Sequence, residues 1–108
     1  MEPDVEEITP DEAAPLIAAG AVLVDVREQD EWDAGHVEGA LHFPLSTLQA
    51  TWQQVPDADR TVFVCRTGGR SMAAAEAFAA AGRAGCANLA GGMQAWAAEG
   101  RPFTGRVA

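Results

Sequence analysis

Along this chain, short runs of valine and other apolar residues alternate with helix-forming stretches, and few folds accommodate that rhythm. Thr61-Val62-Phe63-Val64 is the clearest run, β-branched and aromatic and of strand length. Ala21 to Val26 is apolar except for Asp25, as suits a strand covered on both faces. Weaker strands are expected over Val5 to Ile8, over Ala40 to Phe43, where Pro44 stops the run, and over Ala87 to Leu89.

Helical signals fill the intervals. Thr9, Pro10 and Glu12 read as N-cap, first helical position and reciprocal partner of a capping box, in a helix closed by Gly20. Short helices are expected over Glu28 to Ala34, ended by Gly35, and over Ser46 to Gln53. A stronger one is expected from about Ser71 to Ala81, and another after Gly91-Gly92, containing Met93, Ala95 and Trp96. From Arg101 the chain reads as irregular. This alternation predicts an α/β fold, a parallel sheet with helices on both faces, whose ligands bind outside the carboxyl ends of the strands. The 108 residues suit a single domain, 1–108, with a core over about 5–103.

Composition narrows the function. With 48% hydrophobic and 21% charged residues the chain is ordinary for a folded soluble domain. A net charge of −9 makes nucleic acid and anionic membranes poor partners, because both ask for a basic face. Ala21 to Val24 and Ala73 to Ala81 are too short to span a bilayer. The first residues are acidic, without the apolar segment of a secretory signal, and read as solvated surface; a cytoplasmic location is expected. Lysine is absent, so the position of each arginine is informative.

Two of the arginines flank a glycine pair just after a cysteine: Cys65-Arg66-Thr67-Gly68-Gly69-Arg70-Ser71, between the clearest strand and a strong helix. The small residues Thr67, Gly68 and Gly69 let successive backbone N–H groups turn toward one centre, and the helix N-terminus adds partial positive charge. Such a concavity stabilises a thiolate, the nucleophilic form of cysteine, and Arg66 and Arg70 add full charges beside it. A buried cysteine ending a strand can also be simple core, but a core position does not call for two arginines and a glycine pair. The other thiol, Cys86, lies just before the last expected strand and reads as a small buried residue. The spacing of the two matches neither a zinc site nor a redox Cys-x-x-Cys, and a disulfide is the less expected use of two thiols in a reducing cytosol.

The segment from Val62 to Ser71 resembles the active-site loop of rhodanese-like domains, and the resemblance covers nearly the whole chain. Leu23-Val24-Asp25-Val26-Arg27-Glu28 is similar to the family's second-strand motif. Glu31-Trp32 and Gly35-His36-Val37-Glu38-Gly39-Ala40 match the stretch after it, and Asn88 to Trp96 matches the C-terminal signature. The resemblance implies a single rhodanese-like domain with a five-stranded parallel sheet ordered 1-5-4-2-3. It also implies a sulfurtransferase in which Cys65 carries sulfur as a persulfide, taken from a small anionic donor such as thiosulfate and passed to a thiol or protein thiol. Arg66, Thr67, Gly68, Gly69, Arg70 and Ser71 would bind the substrate, with no cofactor and no metal. Related phosphatases and arsenate reductases place five residues between cysteine and arginine, whereas four separate Cys65 from Arg70, which favours sulfur over phosphate. A sulfur-relay or protein-binding module is the other alternative; such modules commonly lack the nucleophile that this chain retains.

Asp25 and Arg27 are expected to support the site structurally, the carboxylate accepting hydrogen bonds from loop amides or an arginine. The resemblance makes His36 a packing and hydrogen-bonding residue. His42 receives no role, and Trp32 and Trp96 read as core or pocket wall. Gly91-Gly92 is expected to form a tight turn near the same sheet edge, without a phosphate-binding fingerprint.

Overall fold

The computed structural model describes residues 5–108. Five parallel strands, β1 (Glu6–Ile8), β2 (Val22–Asp25), β3 (Leu41–His42), β4 (Thr61–Val64) and β5 (Cys86–Leu89), form one sheet in the order β1-β5-β4-β2-β3. The helices are α1 (Pro10–Ala18), α2 (Gln29–Ala34), α3 (Leu45–Thr51), α4 (Gly69–Ala80) and α5 (Gly92–Ala98), with a 3-10 turn at Trp52–Gln54. None of the described helices is long and apolar enough to cross a membrane.

Because strand side chains alternate between faces, the sheet carries two cores. Leu23, Val62, Val64, Ala87 and Leu89 pack on one face with Ala13 of α1 and Met93 and Trp96 of α5. Val24, Phe63, Cys65 and Cys86 pack on the other with Leu48 of α3 and Ala74, Ala75 and Phe78 of α4. Helix α1 opens with the expected capping box: the Glu12 amide donates to the Thr9 hydroxyl and the Thr9 amide to the Glu12 carboxylate.

Three local expectations are corrected. Helix α4 begins at Gly69 rather than Ser71, because Gly68 turns the chain at φ +113° and its carbonyl already accepts from the Met72 amide at 3.1 Å. Cys86 opens β5 instead of preceding it, paired with Thr61 of β4. The tail is irregular but tied down past residue 103: the Thr104 amide donates to the His36 carbonyl, the Arg106 amide to the Ala34 carbonyl, and Val107 packs against the first core.

Candidate active site

Cys65 directly follows β4, at the carboxyl edge of the sheet, with its side chain on the α3–α4 face. The Gly68 amide points at Sγ from 3.1 Å, the Ser71 amide from 3.4 Å and the Ser71 hydroxyl from 3.3 Å. Two features turn the loop's donors inward. Gly68 takes a positive φ that an L side chain would resist. On the outer side, α5 engages the loop's acceptors: the Met93 amide donates to the Cys65 carbonyl at 2.8 Å and the Gln94 amide to the Arg66 carbonyl at 3.0 Å. That approach requires Gly92, whose Cβ would lie 2.4 Å from the Cys65 carbonyl oxygen. Gly92 thus lets α5 approach the Cys65 loop closely.

Burial pushes the Cys65 thiol up, but the Ser71 hydroxyl and the amides of Ser71, Gly68 and Thr67 together outweigh it, and the net shift is downward. The residue is only 1% exposed, its side chain packed beneath the loop in the core formed with α3 and α4.

The two arginines are held by other groups. Arg70 donates from Nη1 and Nη2 to the two carboxylate oxygens of Glu31, at 2.7 and 2.8 Å, a fork-on-fork pair between α4 and α2. The pair keeps Arg70 protonated and, against the opposing effect of burial, holds the Glu31 carboxyl at about 2 instead of 4.5. The Cys65 charge also acts on Arg70 through space. Arg66 turns outward, and its Nε donates to the Ala108 carbonyl at 2.9 Å. Neither arginine bonds Sγ.

Asp25 and Arg27, both fully buried, form an ion pair at the end of β2, with Nη2 to Oδ2 at 2.8 Å and Nε to Oδ1 at 3.0 Å. Arg27 Nη2 also donates to the Gly35 carbonyl at 2.7 Å, tying β2 to the end of α2. The pair fixes the segment that carries Glu31 and lies one step removed from the sulfur. His36 stacks on Trp32 with ring centroids 3.6 Å apart, and His42 stacks on the same indole at 4.6 Å. Trp96 donates to the Pro102 carbonyl from within the first core.

Sequence reasoning assigned no role to Glu31 or to Asn88. Asn88 is fully buried on β5 and reaches both Ser71 and Gly68. Its signal was a polar side chain within an otherwise apolar strand, since buried amides demand partners. Glu31 gave no such signal in an acidic chain.

Cys86 sits beside Thr61, four residues below Cys65 on the neighbouring strand and so about 13 Å along it. A disulfide needs Cα atoms within about 7 Å, so the two cannot pair in this fold. Among the described residues no group of three His, Cys, Asp or Glu side chains could hold a metal ion.

An α/β sheet presenting a donor-ringed cysteine at its carboxyl edge defines a class of cysteine-loop folds. Within it, this chain belongs to the rhodanese-like family, whose domain model matches residues 9–99. It is 33% identical over 94 residues to the thiosulfate sulfurtransferase GlpE of Pseudomonas entomophila, covering 86% of this chain and 85% of that protein. It is 35% identical over 99 residues to the probable adenylyltransferase/sulfurtransferase MoeZ of Mycobacterium tuberculosis, covering 88% of this chain but only 25% of that one. Among solved structures, a rhodanese-related protein from Thermoplasma volcanium superposes with a TM-score of 0.84 at 28% identity, over 92% of this chain and 97% of that one.

Proposed function

We propose that this protein is a sulfurtransferase that carries sulfane sulfur on Cys65. The observation that carries the reading is the convergence of the Gly68 amide, the Ser71 amide and the Ser71 hydroxyl on one sulfur, which tips a buried thiol toward the thiolate. The Cys65 thiolate attacks the outer sulfur of thiosulfate, the S–S bond of the donor breaks, and sulfite leaves with the bonding pair. A persulfide anion remains on Cys65. A thiophilic acceptor then attacks the outer sulfur and regenerates the thiolate. The loop amides act on the charge that moves between the two sulfurs, as an oxyanion hole acts on a developing alkoxide.

Since Cys86 is out of reach, the acceptor is an external nucleophile: cyanide in an assay, and a small thiol or protein thiol in the cell. The free cysteines suit a reducing compartment such as the cytoplasm. Phosphatase chemistry is disfavoured because the loop between Cys65 and Arg70 is short and Glu31 occupies both terminal nitrogens of that arginine. Incubation with thiosulfate should add one sulfur to the intact mass, removable by cyanide as thiocyanate and absent in Cys65→Ser. Thiocyanate formation by Cys65→Ser at the full rate would overturn the assignment, and rapid hydrolysis of an aryl phosphate would replace it.

A further inference from the structure

A hydroxyl has one hydrogen, and the Ser71 hydroxyl has three acceptors within reach. Sγ of Cys65 lies at 3.3 Å, the Gly68 carbonyl at 3.2 Å and Asn88 Oδ1 at 2.5 Å. The orientation of the Asn88 amide is fixed from the other side. Its Nδ2 donates to Gly68 O at 3.1 Å and to Glu7 Oε2 at 3.1 Å, which uses both of its hydrogens and leaves Oδ1 facing Ser71. Glu7 and Asn88 are register partners on β1 and β5, so the sheet itself delivers the carboxylate to the amide. Ser71 and Asn88 are both 0% exposed, and water does not compete for the proton.

We propose that Asn88 is a positioning residue that competes with Cys65 for the single Ser71 proton. The hydroxyl turns to Sγ when the sulfur is a bare thiolate and back to Asn88 Oδ1 when the sulfur carries a proton or a second sulfur. The reason lies in the acceptors. A thiolate attracts a donor strongly, whereas a thiol or the inner sulfur of a persulfide is a weak acceptor and a carbonyl oxygen is better. Asn88 thereby gives Ser71 a full hydrogen bond in the loaded state and lowers the relative cost of parting with thiolate charge. The loaded-state half rests on the persulfide reading; the protonation half does not.

The charged groups around this cluster are Glu7 on β1, Arg70 on α4 and, bonded to Arg70, Glu31 on α2; Arg66 in the loop faces away. They stay unchanged in the test. The pH midpoint of Cys65 alkylation by iodoacetamide is measured in the parent, Ser71→Ala, Asn88→Ala and the double variant. Losing the Ser71 donor should raise the midpoint, and losing its competitor should lower it, each by about half a unit to one unit. In the Ser71→Ala background the Asn88 substitution should do nothing. If Asn88→Ala does not fold, Asn88→Leu, similar in size and without polar atoms, takes its place. A purely structural amide that only props the loop predicts the opposite sign, a raised midpoint in Asn88→Ala, and that result overturns the proposal, as does an equal shift in both backgrounds. A second arm reads the loaded-to-free ratio of Cys65 by intact mass at fixed thiosulfate and sulfite, which should fall about two- to tenfold in Asn88→Ala; an unchanged ratio overturns the loaded-state half. If the parent never loads sulfur, the sulfurtransferase reading fails while the alkylation arm still decides the proton competition.

Discussion

The two cysteines make an internal experiment. Cys65 and Cys86 are 1% and 2% exposed, lie on the same face of the sheet and join the same core. Yet Cys65 is shifted down and Cys86 up. Burial raises both, and at Cys86 only the charge of Arg83 opposes it. The Cys86 thiol itself donates, to the Arg83 carbonyl at 3.5 Å, a contact that favours the protonated form. At Cys65 the neighbours are donors. One thiol meets a carbonyl at the start of a strand; the other meets N–H groups beyond the end of one. The opposite shifts of two equally buried thiols therefore follow from what faces them, the Ser71 hydroxyl and inward amides at Cys65 and a carbonyl at Cys86, not from depth of burial.

The largest test of that contrast is deletion. Cys65→Ser should reduce thiosulfate:cyanide transfer at least about a thousandfold, since the covalent step is lost, whereas Cys86→Ser should stay within about threefold. A large loss in Cys86→Ser with an unchanged fold would erase the distinction. Next comes the device that aims the peptides. Gly92 sits at φ +57° with its Cβ position against the Cys65 and Arg66 carbonyls. Gly92→Ala should cost about 2–4 kcal/mol in urea unfolding and raise the midpoint of Cys65 alkylation. Parent-like stability and midpoint would show that α5 does not set the loop. A smaller effect separates the arginines. Arg70→Ala should raise the KM for thiosulfate about two- to threefold, since Glu31 already offsets most of its charge, and Arg66→Ala, which faces away, less than that. Equal effects would mean the loop is read as a general positive field.

The smallest expected effect concerns Glu31. Its carboxyl is held near 2 in the folded protein against 4.5 ordinarily, chiefly by Arg70. A depressed carboxyl stabilises the fold above its unfolded value and loses that contribution as pH falls. Urea midpoints should therefore decline between about pH 4.5 and 2, and less steeply in Glu31→Gln. Identical slopes in the two proteins would show that the pair contributes no folding energy.

The sheet was legible in sequence because Val62, Phe63 and Val64 and the Ala21–Val26 run are too apolar to lie anywhere but between layers. The strand order came from the family resemblance, since strand periodicity says nothing about neighbours. The loop was legible for a local reason: its donors lie within six residues of the sulfur. What stayed hidden was paired across the fold. Arg70 and Glu31 are 39 residues apart, and Asn88 and Glu7 are 81 apart. An arginine next to a reactive cysteine looks available for substrate until a distant carboxylate is folded against it. The start of α4 was misplaced for a local reason, because two consecutive glycines do not reveal which turns the chain and which begins the helix.

The most direct test is iodoacetamide alkylation of the folded parent as a function of pH, with each cysteine quantified by peptide mass. If the Ser71 hydroxyl and the inward-facing amides lower Cys65, its reactivity should titrate below the usual thiol value of 9.0, while Cys86 stays unmodified until the protein is unfolded. A Cys65 midpoint at or above 9.0, or labelling of both cysteines at similar rates, would contradict it.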